Sequence, residues 1–136
     1  MVEDSEIASR FILYKKHISA DGSVKPAALV PAPHVECSVT LRANRDDTVV
    51  WANGEDVAKA RGMPLCGRVD MLVARVRASG EANVRMDVVH KPITKDNGLG
   101  FVNLYHADIV GWPQEKKDQK SIALRILKGL RAVIRP

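Results

Sequence analysis

Residues 35–42 read Val-Glu-Cys-Ser-Val-Thr-Leu-Arg, and this strict alternation constrains the fold more than any other stretch. Successive side chains of a strand point to opposite faces, so Val35, Cys37, Val39 and Leu41 define a buried face and Glu36, Ser38, Thr40 and Arg42 a polar one. A strand of that kind needs a sheet with apolar cover on one side. Residues 67–77 carry Val69, Met71 and Val73 on one side and Leu72, Ala74 and Val76 on the other, which predicts a strand covered on both faces and therefore central. Residues 84–90 alternate again at Val84, Met86 and Val88, and residues 104–110 read as a last strand. Residues 10–18 fit a helical stripe through Ile7, Phe11, Tyr14 and Ile18, or a strand; their β-branched and aromatic content favours the strand.

Helical signals are fewer. Asn44-Arg-Asp-Asp47 offers caps for a helix running through Trp51 to Ala58, with Gly54 weakening it and Gly62 and Pro64 stopping it. Gly111-Trp-Pro113 leads into a C-terminal helix, because proline is well tolerated at a first helical position. On that helix Ile122, Ala123, Ile126, Leu127, Leu130, Val133 and Ile134 fall on one side, and Lys117, Lys120, Arg125, Lys128, Arg131 and Arg135 on the other. Glu115 and Asp118 come early and the cations late, which complements the helix dipole.

The resulting order β, β, α, β, β, β, α has too few helices between strands for a doubly wound parallel sheet. It predicts an α+β domain, a mixed or antiparallel sheet of about five strands with two helices packed on it. The length favours one domain over residues 1–136. Residues 1–9 lack periodicity apart from Ile7 and are expected to be a mobile terminus. Pro26, Pro31 and Pro33 should hold residues 25–34 extended across the surface, and residues 91–100 form the longest expected loop.

A hydrophobic share of 46% with 27% charged residues suits a folded globular chain, not a disordered one. Aromatics make up only 4%, so Trp51, Trp112, Phe11, Phe101, Tyr14 and Tyr105 each carry much packing area. No apolar run approaches the roughly 20 residues that cross a bilayer, and the acidic start does not resemble a secretory signal, which points to a cytoplasmic protein. Cys37 and Cys66 are read as free thiols, since disulfides are rare in that compartment.

The formal charge of +5 raises the case for an anionic partner, RNA or DNA ahead of acidic protein. Lys117, Lys120, Arg125, Lys128, Arg131 and Arg135 could lie along a phosphate backbone, although no aromatic interleaves them for base stacking. A second constellation is His106 with Asp108. Residues i and i+2 of a strand share a face, so a carboxylate could orient a histidine base, while free amides after Gly111 could hold an anion. This arrangement suits a metal-independent nuclease or another phosphate-directed enzyme. His17, His34, His90 and His106 lack metal-site spacing, so neither a metal nor another cofactor is expected. Gly98-Leu-Gly100 lacks the rest of a P-loop, and no GxGxxG, GxSxG or zinc-finger spacing occurs.

His106-Ala-Asp-Ile-Val-Gly-Trp-Pro113 with its Lys-rich helix, Val24-Lys-Pro-Ala-Ala and Cys37-Ser-Val together resemble a group of small uncharacterised bacterial proteins. The resemblance implies a bacterial, cytoplasmic, single-domain protein and brings no activity with it. From the residues alone, the leading expectation is a non-enzymatic accessory protein that binds an acidic partner, RNA or DNA. The phosphate-directed enzyme is the alternative from another class, and a protein-interaction module is the third. A concave pocket joining His106 to another histidine or a cation would favour the enzyme; a flat basic strip would favour binding.

Overall fold

The computed structural model describes residues 1–97 and 100–135. The alternating stretches become five strands, β1 (Ile7–Ile12), β2 (Cys37–Leu41), β3 (Gly67–Leu72), β4 (Asp87–His90) and β5 (His106–Val110). They form one sheet in the order β3-β1-β2-β5-β4 with every neighbouring pair antiparallel. Helices α1 (Asp47–Arg61), α2 (Val73–Arg77) and α3 (Lys116–Leu127) complete an α+β fold. Gly98 and Leu99, near the end of the expected 91–100 loop, and Pro136 lie outside the described residues.

The two sheet faces are covered unequally. On one face Ala8, Ile12, Val39, Leu41, Met71, Val88 and Ile109 pack with Ile122, Ala123, Ile126 and Leu127 of α3 in the main core. On the other, Phe11 and Leu13 pack with Val50 and Ala58 of α1 in a smaller cluster. Asp46 caps α1 by accepting from the Val49 amide at 3.1 Å, and Gly62 ends it in the left-handed region at φ 64°. Gly54 serves that contact, because a Cβ there would lie 2.7 Å from the Phe11 ring. Arg68 of β3, 1% exposed, fixes the helix start: its guanidinium lies over the Trp51 ring at 4.5 Å and bonds Asp47 and Asp70 at 2.8 and 3.0 Å. Helix α1 thus sits over the β1–β3 side, and Ser38, Thr40, His106 and Asp108 occupy the remainder of that face.

Several expectations need correction. Residues 1–9 are part of the folded body: Val2 is buried, the Asp4 carbonyl accepts from Ala74, and Ile7 opens β1, so the first strand begins three residues before the expected 10–18 segment. Strand β3 is an edge strand and ends at Leu72, because residues 73–77 turn into α2, which buries Val73 and Val76 at helical spacing. Arg77, at the end of α2, donates to Asp87 of β4 at 2.8 Å, so α2 ties together opposite edges of the sheet. The proline-rich segment forms a 3-10 turn at Pro26–Ala28 and sends Ala28 and Leu29 into the core. Pro113 does not open the last helix, which starts at Lys116 with Glu115 at its cap; buried Gln119 instead donates to the Pro113 carbonyl at 2.8 Å.

The last helix is also shorter than the stripe suggests. It stops at Leu127, and Gly129 at φ 77° turns the chain away. Leu130, Val133 and Ile134 therefore leave the helix. Arg131 and Ala132 pair with Ser23 and Gly22, and Val133 lies against the outer edge of β3, where it exchanges two backbone hydrogen bonds of 3.0 and 2.7 Å with Arg68.

Candidate active site

The uncovered part of the α1 face is concave. Strands β1 and β2 pair only at Ala8↔Leu41 and Ser9↔Thr40 and then diverge. Arg10 fills the split, its Nε donating to the Ala28 carbonyl at 2.9 Å and its Nη1 to the Ser38 carbonyl at 2.8 Å. Its Nη2 makes no hydrogen bond among the described residues. Above this floor lies an open cavity of about 530 Å³, within the range of small-ligand sites. Val57, Ala60 and Arg61 of α1 line one side, Tyr14 and His17 an end, and Pro92, Ile93 and Phe101 the far wall.

Strand register places the polar groups on the floor. Ser38 is the partner of Asp108 and Thr40 the partner of His106, so the i, i+2 pair of β5 faces the cavity beside the polar side of β2. The Asp108 side chain is 8% exposed and that of His106 15%, and Nε2 of His106 stands 3.7 Å from Oδ1 of Asp108. The other oxygen, Oδ2, is 3.5 Å from Lys91 Nζ, which is also 3.5 Å from Glu36 Oε1.

The imidazole is held in one orientation. Its Nδ1 lies 2.8 Å from the Lys91 carbonyl, which can only accept, so Nδ1 carries a proton and Nε2 is left to face Asp108 and the cavity. Burial pushes the Asp108 carboxyl above its ordinary range; His106 and Lys91 oppose that shift, and the neighbouring Glu36 carboxylate adds to it. The carboxyl therefore retains a proton more readily than a solvated one does. At the cavity end, burial and the charges of Lys16, Arg10 and Lys25 lower the His17 pKa and favour neutral imidazole. A buried acid, an imidazole with a free nitrogen and nearby cations together can move protons on a bound anion.

Comparison with family models, curated proteins and solved structures finds no match. The geometry alone carries the reading.

The structure places His106 and Asp108 on one strand face, as their spacing predicts, and that face lines a concave site. It also adds Arg10, Glu36, Lys91 and the apolar wall, which come from other elements. The amides after Gly111 do not join this site. Gly111 is pressed against the Arg85 backbone, and Trp112 is buried with its indole bonded to the Ile109 carbonyl at 2.9 Å. Among the described residues no three His, Cys, Asp or Glu side chains gather as a metal-binding group. Cys37 and Cys66 are free thiols, and no helix is long and apolar enough to cross a membrane among the described residues.

The six cations of the expected basic face are not one surface. Lys117, Lys120 and Arg125 lie on α3, Lys128 is its C-cap, and Arg131 and Arg135 belong to the tail beyond Gly129. Arg125 donates to the Ser79 carbonyl and pairs with Glu81, Arg131 donates to the Asp21 carbonyl, and Arg135 pairs with Glu55. Half of the set is thereby engaged within the chain.

Proposed function

We propose that this chain is an acid–base enzyme acting on a small anionic substrate held in the cavity on the α1 face of the sheet. The observation that carries the reading is the His106–Asp108 pair, 3.7 Å apart on the floor of a cavity that is also lined by Arg10, Lys91 and Arg61. An isolated surface histidine has neither a fixed tautomer nor a buried acid beside it; this one has both. Arg10 offers an unspent N–H toward an anion, and the side chain is braced by two carbonyls, so little ordering cost remains for binding. The apolar part of the lining lowers the local polarity beside the pair, which strengthens charge interactions there relative to bulk water.

The test is a titration of labelled protein with small anions, inorganic phosphate, nucleoside monophosphates and aryl oxo acids, followed by amide NMR. Binding should move residues 36–40, 91–93 and 106–108 first. Shifts confined to other surfaces, or none at millimolar ligand, would remove the cavity from consideration.

A second reading, contact with RNA or DNA, rests on the outer side of α3. Lys117, Lys120 and Lys128 are exposed and form no ion pair among the described residues, which leaves three cations for a polyanion.

A further inference from the structure

We infer that the pair moves a proton between neighbouring atoms on one face of a carbonyl compound, a keto–enol shift on an aromatic or otherwise apolar oxo acid. This rests on the reading of the cavity as an acid–base site and names its reaction and substrate class.

The separation of the two groups decides the reaction. In-line displacement at phosphorus puts the entering and leaving oxygens on opposite sides, so an acid and a base serving both must approach the phosphorus from opposite sides. His106 Nε2 and Asp108 Oδ1 are 3.7 Å apart and adjacent on one strand face. They fit instead the carbon and oxygen at the two ends of a C–C=O unit, which lie about 2.4 Å apart from ordinary bond lengths. Each protein atom can then reach one end at hydrogen-bond length.

The cavity selects the remainder of the molecule. Three basic side chains, Arg10, Arg61 and Lys91, stand against two carboxyl groups, Glu36 and Asp108, and burial holds the second of these toward its neutral form. That surplus suits one compact anionic head rather than a phosphate chain. Arg10 is bonded to the Ser38 carbonyl, and Ser38 is the strand partner of Asp108, so a carboxylate on Arg10 Nη2 sets the adjacent carbonyl beside the pair. Phe11, Leu13, Val57, Ile93 and Phe101 offer the other end an apolar wall that a sugar phosphate would leave unpaired.

The step balances within the site. The C–H proton passes to His106 Nε2, and the C–H electron pair becomes the new C=C bond. The carbonyl π pair moves to oxygen, which takes the proton from the Asp108 carboxyl. Nε2–H then faces the Asp108 carboxylate, and return of the proton across that gap resets the pair. No oxidant or co-reactant is required.

Phenylpyruvate, an aromatic oxo acid with an enolisable methylene, is the probe, with bis(p-nitrophenyl) phosphate as the phosphoester control. In D2O the wild-type protein should accelerate loss of the methylene proton signal above the buffer rate. His106→Asn and Asp108→Asn should each lower that acceleration about 100-fold or more while still binding phenylpyruvate at the same amides. Two variants are used so that one failing to fold leaves the other to decide. Phenylpyruvate bound in the cavity without accelerated exchange overturns the inference and leaves the anion site standing. Exchange unchanged in a folded variant overturns it as well, as does hydrolysis of the phosphodiester that is lost in His106→Asn. If neither probe moves the cavity amides, the reading of the site falls and the inference with it.

Discussion

Asp108 holds its proton more firmly in the folded protein than in the unfolded chain, because it is buried beside Glu36. A carboxyl raised in this way contributes stability below the unfolded pKa and loses that contribution as pH rises through the folded value. Asp108→Asn cannot ionise, so its stability relative to wild type should improve as pH rises above the unfolded carboxyl pKa and level off once the folded carboxyl has ionised, read by urea unfolding across that range. A difference that stays flat or moves the other way means the carboxyl is not held toward its acid form. Gly111 presents a different demand. Its φ is 92°, and a Cβ would stand 2.1 Å from the Arg85 carbonyl oxygen, backbone that cannot step aside cheaply. Gly111→Ala should cost about 2 kcal/mol or more, read from the urea midpoint at constant slope. At this scale the sequence was legible where neighbours along one strand were concerned. The i, i+2 spacing of His106 and Asp108 predicts a shared face, and the alternation of residues 35–42 puts Glu36 with Ser38 and Thr40, whereas Arg10 and Lys91 reach the site through a strand order that no local pattern encodes.

Elements were legible where their ends carry chemistry. Asp46 and Gly62 bound α1 as their capping roles predict, and the strict alternation of residues 35–42 marks β2. The errors fall where two periods coexist. Val73 and Val76 extend the apolar run of β3 yet also satisfy a turn of helix, and burial against β4 decides for the helix. In α3 the apolar stripe continues past its own stop, since Gly129 breaks the backbone without interrupting the spacing. Leu127 is 5% exposed inside the helix, and Leu127→Ala should lose about 2–5 kcal/mol, as for other buried leucines. Leu130, partly buried beyond the helix, should lose less, and equal losses would mean that both sides of Gly129 pack as one element. For the outer side of α3, replacing Lys117, Lys120 and Lys128 by Glu should abolish any RNA or DNA binding seen at low salt. Binding that keeps its salt slope in that triple variant places the contact elsewhere.

For the molecule as a whole, fold class follows from counting strands and helices, but the order β3-β1-β2-β5-β4 does not, because antiparallel partners are chosen by contacts far apart in sequence. That order matters for the site. It puts β2 beside β5 near the middle of the sheet and sends α1 to the β1–β3 side, so the polar faces of β2 and β5 remain open beside α1. It also leaves β3 on the outside, where Val133 of the C-terminal tail lies against it. A strand edge without a neighbour is a template for another chain, and here Val133 covers it through two backbone hydrogen bonds to Arg68, with the tail further held by Ala132 donating to the Gly22 carbonyl, by Arg131 at Asp21 and Ser23 and by the Arg135–Glu55 pair. Shortening the protein after Leu130 should therefore convert a self-contained fold into one that associates with copies of itself. Light scattering should show mass rising with concentration, while the cavity on the opposite side of β1 still binds its anion.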